Sequence, residues 1–502
     1  MSPNKIANKE FVRINHSNEV TRGQAMVCRG VMFLSLIWFL AAPVELMADE
    51  APARPNVLLI MSDDLNTALS GFGHPQCKTP NLDRLARRGV SFHRMYCQFP
   101  VCGASRSSMM NGLYPYSTGD LKNTTIFRKY RPQAVTLPQL FLNNGYYVAR
   151  VGKIYHMGIP QEVIDGTAIA DDPQSWGETY NIQCGEQNLP GKTIQHSPGW
   201  KGSQTFQRVE ATEGDLAMAD GLAATKTIEL MRKHREKPFF IACGFVRPHV
   251  PLVAPEAYFR MYPEQAMILP EVPADDLEDV GQATKTYKTN ESLKITTEQM
   301  PGILSAYYGC VSHMDFQVGR LLDALDELDL KQKTLVVFTS DHGYHLGEHH
   351  KWQKQHLFEE TTRVPFILSA PWLSKSHGKS TQHMCELIDL YPTVSSLCQV
   401  SPPEYIQGKS MVPILKDVET DLWTKDTVFS VSTREGASLR NGSYRYTEWA
   451  RGAKGTELYD LKNDPGEFIN VADRTEYRSI REDLAKQMKK KRKSASSELG
   501  PK

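Results

Sequence analysis

Three features of the sequence predict an α/β fold, a large mostly parallel sheet sandwiched by helices with a smaller C-terminal α+β subdomain. Continuous apolar runs of strand length recur along the chain, helix-length segments separate them, and two of the runs stop abruptly at acids. The first run, VLLIM at 57–61, lacks polar alternation, as expected of a strand buried on both faces, and ends at Asp63 and Asp64. TPNLDRLARRG (79–89) reads as a helix with a basic last turn and a closing Gly89, and VSFHRMYC (90–97) as the next strand. GASRSSMMNG (103–112) reads as a short helix. Alternation continues with TLPQLFLNNG (136–145) and YYVARVGK (146–153), then with LAMADGLAATKTIELMRKH (216–234) and PFFIACGF (238–245). The long segment 305–330 and TLVVFTSDHG (334–343) complete it, the last strand ending at Asp341. Beyond LIDLYPTVSSLCQV (387–400) the pattern weakens, and 436–449 and 456–464 read as hairpins before a terminal helix. The expected division is a catalytic domain over 52–404, a C-terminal subdomain over 405–488 and a basic polar tail over 489–502, with no internal repeat.

Composition narrows the function. A chain of 502 residues, 40% hydrophobic, buries a sizeable core, and 58 basic against 57 acidic residues leave no field of one sign to recommend nucleic acid or a membrane surface as partner. The run Lys489–Lys493 reads as a solvated end. The apolar stretch VMFLSLIWFLAA (31–42) is short for a membrane span and is followed by a small-residue exit near Ala48, so 1–48 reads as an export signal, with Met26 a more ordinary start than Met1. Export predicts a periplasmic or secreted protein, or a lysosomal one in a eukaryote. The nine cysteines (28, 77, 97, 102, 184, 243, 310, 385, 398) show no framework spacing. Without Cys28 and Cys102 seven remain, so at least one is a buried free thiol, and the pairing of the others stays open.

Ligands of open α/β sheets gather beyond the carboxyl ends of the strands, so Asp63, Asp64 and Asp341 should converge. Three carboxylates together call for a hard cation, and their oxygens suit calcium or magnesium. Cys102 sits at the start of a predicted helix whose N–H groups and Arg106 would attract an anion. Taken alone it is open to two readings: a structural thiol, buried or bridged to Cys97, or a thiolate nucleophile that would need strong compensation beside the acids.

Residues 99–115, FPVCGASRSSMMNGLYP, resemble the sulfatase signature Cys-x-Pro/Ala-Ser-Arg, whose cysteine is oxidised after synthesis to Cα-formylglycine. The resemblance extends to NVLLIMSDDLN (56–66), GKIYH (152–156), RPHVPLVAP (247–255), TSDHGYHLGEHHKWQK (339–354) and ELYDLKNDPGEFINVA (457–472). The GK-x-x-H, PH-x-P, DHG and YRYT pieces are similar to the iduronate 2-sulfatase branch of that family. This resemblance implies one calcium ion on Asp63, Asp64, Asp341, His342 and the oxygen of modified Cys102. It further implies that one hydroxyl of hydrated formylglycine attacks sulfur and the other later expels sulfate, with Arg106 and the calcium stabilising charge. Lys153 and Lys354 would grip sulfate oxygens, His156 would be the base for collapse, and His249 would contact sulfate and donate a proton to the leaving alcohol. The implied partners are a sulfated carbohydrate substrate and a formylglycine-generating maturation enzyme. Ala104 stands where many members have Pro, and Asn111 and Leu113 stand where Thr and Arg are common; His342 replaces the Asn of some relatives.

Three other readings compete. HLGEH (345–349) fits the His-x-x-Glu-His pattern of zinc peptidases, although Gly347 weakens the helix that motif requires. A phosphodiester or phosphonate ester presents similar tetrahedral oxygens. An unmodified Cys102 would leave a calcium-dependent glycan-binding protein.

Overall fold

The computed structural model describes residues 51–197 and 206–496; the export segment and its exit near Ala48 lie outside the described residues. The central sheet has nine strands, ordered edge to edge Lys379–Thr381, Val90–Tyr96, Arg363–Ser369, Thr334–Ser340, Asn56–Asp63, Phe239–Pro248, Tyr147–Gly152 and Glu178–Tyr180, with Cys385–Glu386 also paired to Val90–Tyr96. Arg363–Ser369 alone runs antiparallel to its neighbours. Asn56–Asp63 lies between Phe239–Pro248 and Thr334–Ser340, parallel to both, which brings its terminal acids beside Asp341 and His249.

The absence of polar alternation in the first strand has the expected cause. Leu58 and Ile60 pack into the core formed with the helices Pro80–Arg87, Ala219–Lys233 and Met300–Glu327. Val57, Leu59 and Met61 face the opposite core, formed with Cys102–Asn111, Leu137–Asn143 and Leu390–Leu397. Both faces of the strand are therefore dry, and every residue from Asn56 to Asp63 is buried.

The C-terminal region is a four-stranded antiparallel meander, Thr427–Val431, Gly436–Asn441, Tyr444–Trp449 and Thr456–Asp460, packed with the helix Arg478–Ala495. The run Lys489–Lys493 lies within this helix, where Lys491 Nζ donates to Tyr114 Oη at 2.5 Å. The helix is thus held to the segment that follows Cys102–Asn111. Among the described residues no helix is long and apolar enough to cross a membrane. All eight cysteines from Cys77 onward are free and buried, so the bridge between Cys97 and Cys102 is not formed.

Candidate active site

The site assembles at the carboxyl ends of four adjacent strands, Thr334–Ser340, Asn56–Asp63, Phe239–Pro248 and Tyr147–Gly152. Asp63 ends the first strand, and Asp64 leaves it in the left-handed region at φ 63°, a conformation that Asp tolerates better than most residues. Tyr307 Oη donates to the Asp64 carbonyl at 2.7 Å, and the Asp64 N–H donates to Asp341 Oδ1 at 3.2 Å, fixing the turn against the neighbouring strand. Gly343 after Asp341 and His342 has a steric cause: a Cβ there would lie 2.0 Å from the Glu360 carbonyl oxygen.

Cys102 opens the fully buried helix Cys102–Asn111. Its Sγ lies 3.3 Å from His342 Nε2, 3.0 Å from Lys354 Nζ and 3.9 Å from Asp64 Oδ1. One turn further on, Arg106 spans two strand ends, with Nε 2.8 Å from Asp341 Oδ2 and Nη2 3.0 Å from Asp63 Oδ1. Its Nη1 donates to the carbonyls of Lys153 and Ile154 at 2.6 and 3.1 Å. Lys153 Nζ reaches Asp63 Oδ2, and Lys354 Nζ reaches Asp64 Oδ1, both at 2.5 Å. Lys354 is presented by a turn whose flanking residues, Gln353 and Gln355, both have positive φ, at 65° and 80°. Backbone held in this way is a local cost that the surrounding contacts must offset.

Electrostatics sort the protonation states. Burial opposes ionisation of Asp63, but Lys153, His249, Arg106 and Lys354 overcome it and hold the carboxyl well below its usual range; for Asp64 the balance settles at about 2. Both are carboxylates at neutral pH. Burial, together with Asp63 and Asp341, pushes the Cys102 thiol up, so an unmodified Cys102 is a neutral thiol. Burial pulls His249 down to about 4. Its Nδ1 faces the Val250 carbonyl at 2.6 Å, leaving Nε2 directed at Asp64 Oδ2 across 3.7 Å. His156 is lowered to about 2 by burial and then by Lys153, and its buried Nδ1 has no hydrogen-bond partner.

The ten residues singled out from sequence thus fall around one centre, nine of them joined by direct contacts and His156 beside Lys153. The donor set fits a hard cation. Candidate ligand atoms of Asp63, Asp64, Cys102 and His249 lie within 4.8 Å of one another, as do those of Cys102, Asp341 and His342, and the two groups, joined at Cys102, bring three carboxylates to one place. His249 joins this group although sequence had placed it against sulfate and the leaving alcohol rather than among the metal ligands.

Arg247, which precedes Pro248 and His249 in the RPH piece, is 1% exposed and paired with buried Glu186, so it is neither solvated nor free to meet a substrate carboxylate. Its Nη1 donates to the carbonyls of His249 and Pro251 at 2.6 and 2.7 Å, so it shapes the loop bearing His249. Sequence reasoning missed Glu186, Tyr307 and Lys288. Lys288 is buried, and burial followed by the nearby Lys354 lowers it to about 7. None of the three lies in a local pattern; only the fold brings them to the site. His345–His349 is no helix: Gly347 has φ 116° and His349 has φ 55°, so the zinc-peptidase arrangement does not form.

The sulfatase family profile matches residues 55–400, more than half of the chain. The chain belongs to the sulfatase family. A second profile, the C-terminal region of N-sulphoglucosamine sulphohydrolase, matches residues 347–494 of this sulfatase. It is 33% identical to a sulfatase of Formosa agariphila, over 85% of this chain and 84% of that protein. Human iduronate 2-sulfatase is 30% identical over 75% of each chain. Among solved structures, the phosphonate monoester hydrolase of Agrobacterium radiobacter superposes with a TM-score of 0.74 at 22% identity, over 88% of this chain and 95% of that one, a likeness of fold. The family's chemistry, hydrolysis of sulfate esters, is accordingly this protein's general activity.

Proposed function

We propose that this sulfatase is exported, carries Cα-formylglycine at position 102 and one calcium ion, and removes the 2-O-sulfate from a terminal uronic acid of a sulfated polysaccharide. One observation carries the reading: position 102 faces His342, Asp64 and Lys354 at hydrogen-bond range, with Arg106 tying Asp63 to Asp341 behind it. As a thiol, Cys102 is neutral and would be a poor nucleophile there; an oxygen nucleophile suits the same surroundings.

Asp63, Asp64, Asp341 and His342 would hold the calcium with an oxygen of the modified residue. The ion would supply Lewis-acid stabilisation of charge on the sulfate oxygens, and the aldehyde hydrate would supply the hydroxyl nucleophile. The chain does the rest. Lys153 and Lys354 point ammonium groups into the carboxylate cluster, where each can exchange a carboxylate oxygen for a sulfate oxygen. Arg106 fixes the spacing of the two strand ends. His249 is neutral in the free protein with Nε2 turned into the site, and gives a proton to the leaving alcohol once bound sulfate, a further negative charge beside it, raises its pKa; neutral His156 accepts one from the residue at 102.

The sugar follows from the resemblance to iduronate 2-sulfatase, together with site residues from several separate segments that close around a terminal group. Mass analysis of the peptide 99–106 tests the nucleophile: active protein showing only unmodified cysteine would sink the reading. Comparing kcat/KM for uronate 2-sulfate and 6-sulfated hexosamine oligosaccharides tests the sugar, and preference for the hexosamines would overturn it. Paired aryl sulfate and phosphonate esters separate sulfatase from phosphonate hydrolase activity.

A further inference from the structure

Beside the catalytic centre lies a second cluster that the sulfatase chemistry does not use. His345 is fully buried, and neither ring nitrogen has a hydrogen-bond partner. Its Nδ1 stands 3.9 Å from Glu348 Oε2 and 3.9 Å from Glu360 Oε2. His349 Nε2 lies 3.9 Å from the same Glu360 oxygen, which is itself buried without a partner. These separations are too long for hydrogen bonds and somewhat longer than the roughly 3.4 Å between ligand atoms in a tetrahedral zinc site with bonds of about 2.0–2.1 Å. For all four groups to meet one ion, side-chain rotation has to bring His345 and Glu348 onto His349 and Glu360, which together with Glu467 already have ligand atoms within 4.8 Å of one another.

We propose that His345 Nδ1, His349 Nε2, Glu348 and Glu360 form a second cation site, suited to zinc or a similar borderline transition metal. Two imidazoles with two carboxylates are a donor set that favours such ions over calcium. The surroundings are arranged as around a metal-bound imidazole: Asp276 Oδ2 lies 3.0 Å from His349 Nδ1, which directs a proton there and frees Nε2 for a ligand. The ring of His349 is held in place by stacking on Phe358 at 3.8 Å. Glu467, the other acid in this group, is already engaged by Arg445 and the Glu359 N–H. Glu348 and Glu360 keep 28% and 26% of their side chains exposed, giving an ion a path from solvent.

The site is structural in purpose. The turn 343–350 joins Asp341 and His342 at one end to Lys354 at the other, and a cation bridging His345, His349 and Glu360 would pin it to the helical turn Glu359–Thr362. The spacing His-x-x-Glu-His here contributes its ligands from a non-helical turn, so no peptidase geometry is implied.

Full-length protein stripped with chelator and reloaded with Co²⁺ tests this directly. The expected result is the visible absorption of a four-coordinate cobalt site, displaced by Zn²⁺, present in Asp64→Asn and lost in His345→Ala. Glu360→Gln, nearly isosteric, should weaken Zn²⁺ binding by at least tenfold, with zinc raising the melting temperature of the wild type but not of this variant. Cobalt absorption lost in Asp64→Asn and kept in His345→Ala would assign the metal to the catalytic acids and overturn the proposal, as would zinc binding indifferent to Glu360→Gln. Because the readouts are spectral and thermal, they stand apart from whether position 102 is matured.

Discussion

Lys354 lies 3.0 Å from the sulfur of Cys102 while its ammonium also contacts Asp64 Oδ1 at 2.5 Å. A single cation thus links the reacting position to a carboxylate that the neighbouring histidines also face. Lys354→Met removes that link with little change in volume. kcat/KM should fall by about 10²–10³, the scale of losing one positioned charge at a reacting oxygen, with the far-ultraviolet circular dichroism unchanged. A fall smaller than tenfold on an aryl sulfate would place Lys354 outside the reaction.

Arg106→Lys should behave as a loss rather than a conservative exchange. The guanidinium joins Asp63, Asp341 and the carbonyls of Lys153 and Ile154, and all of these groups are buried. A lysine keeps the charge but cannot span both carboxylates; Asp63 retains Lys153, so the loss falls on Asp341, which is left with backbone N–H partners and a weakened or absent cation. The expected destabilisation is about 3–5 kcal/mol by urea unfolding. A change below about 1 kcal/mol would mean that the acids are compensated by other groups.

The expected elements of the sheet and the convergence of its strand-end acids were legible because they follow from local pattern: a run apolar on both faces has few alternatives to a buried strand, and Asp63 with Asp64 closes one such run and Asp341 another. The boundaries shifted by a few residues where a turn or a 3-10 segment took over, as at Thr297–Gln299 before the helix Met300–Glu327. What could not be read was the partner of each charge. Nothing near Arg247 in sequence announces Glu186, and nothing near Asp64 announces Tyr307; both pairs are made by tertiary packing between segments more than fifty residues apart. The helical tendency of the chain around Lys489–Lys493 was likewise hidden by its charge, since Met488 and Ala495 alone supply the buried anchors beside the run.

Glu186→Gln distinguishes the structural role of Arg247 from a role in recognising substrate. It takes the counter-charge from a buried guanidinium that holds the His249 loop, so stability should fall by about 3 kcal/mol. Turnover of an aryl sulfate and of a uronate 2-sulfate should decline by the same factor, because the displaced group is His249. A selective rise in KM for the uronate would instead return Arg247 to the substrate.

Chelation should remove activity and calcium together, and Asp341→Ala should not recover either on adding calcium back. The reason is charge: with one carboxylate gone, the hard-cation donor set loses both an oxygen and the partner of Arg106. Direct metal analysis alongside rate measurement checks this, and full activity in protein holding no divalent cation before or after reconstitution would defeat the assignment.

Acid should loosen the C-terminal sheet first, through Glu359. Its Oε2 accepts Arg445 Nη2 at 2.5 Å and Arg440 Nε at 3.4 Å, while Oε1 accepts Tyr96 Oη at 2.8 Å. Arg440 and Arg445 belong to the C-terminal meander and Tyr96 to the central sheet, so this carboxylate joins the two. Burial raises its pKa, but Arg440, Arg445 and Arg363 outweigh burial and bring it to about 2. The unfolded chain would titrate near ~4.3. With the folded value depressed, the contribution to stability is complete above ~4.3 and is lost as pH falls through about 2. Its size is at most about 3 kcal/mol, from roughly 1.4 kcal/mol per unit. Glu359→Gln should therefore be less stable than wild type at neutral pH by up to that amount, and the difference should shrink steadily on going from pH ~5 to pH ~2. Urea unfolding at a series of pH values, followed by the fluorescence of Trp449 in the meander, measures it, and two curves that stay parallel down to pH ~2 would show that Glu359 does not carry the acid sensitivity.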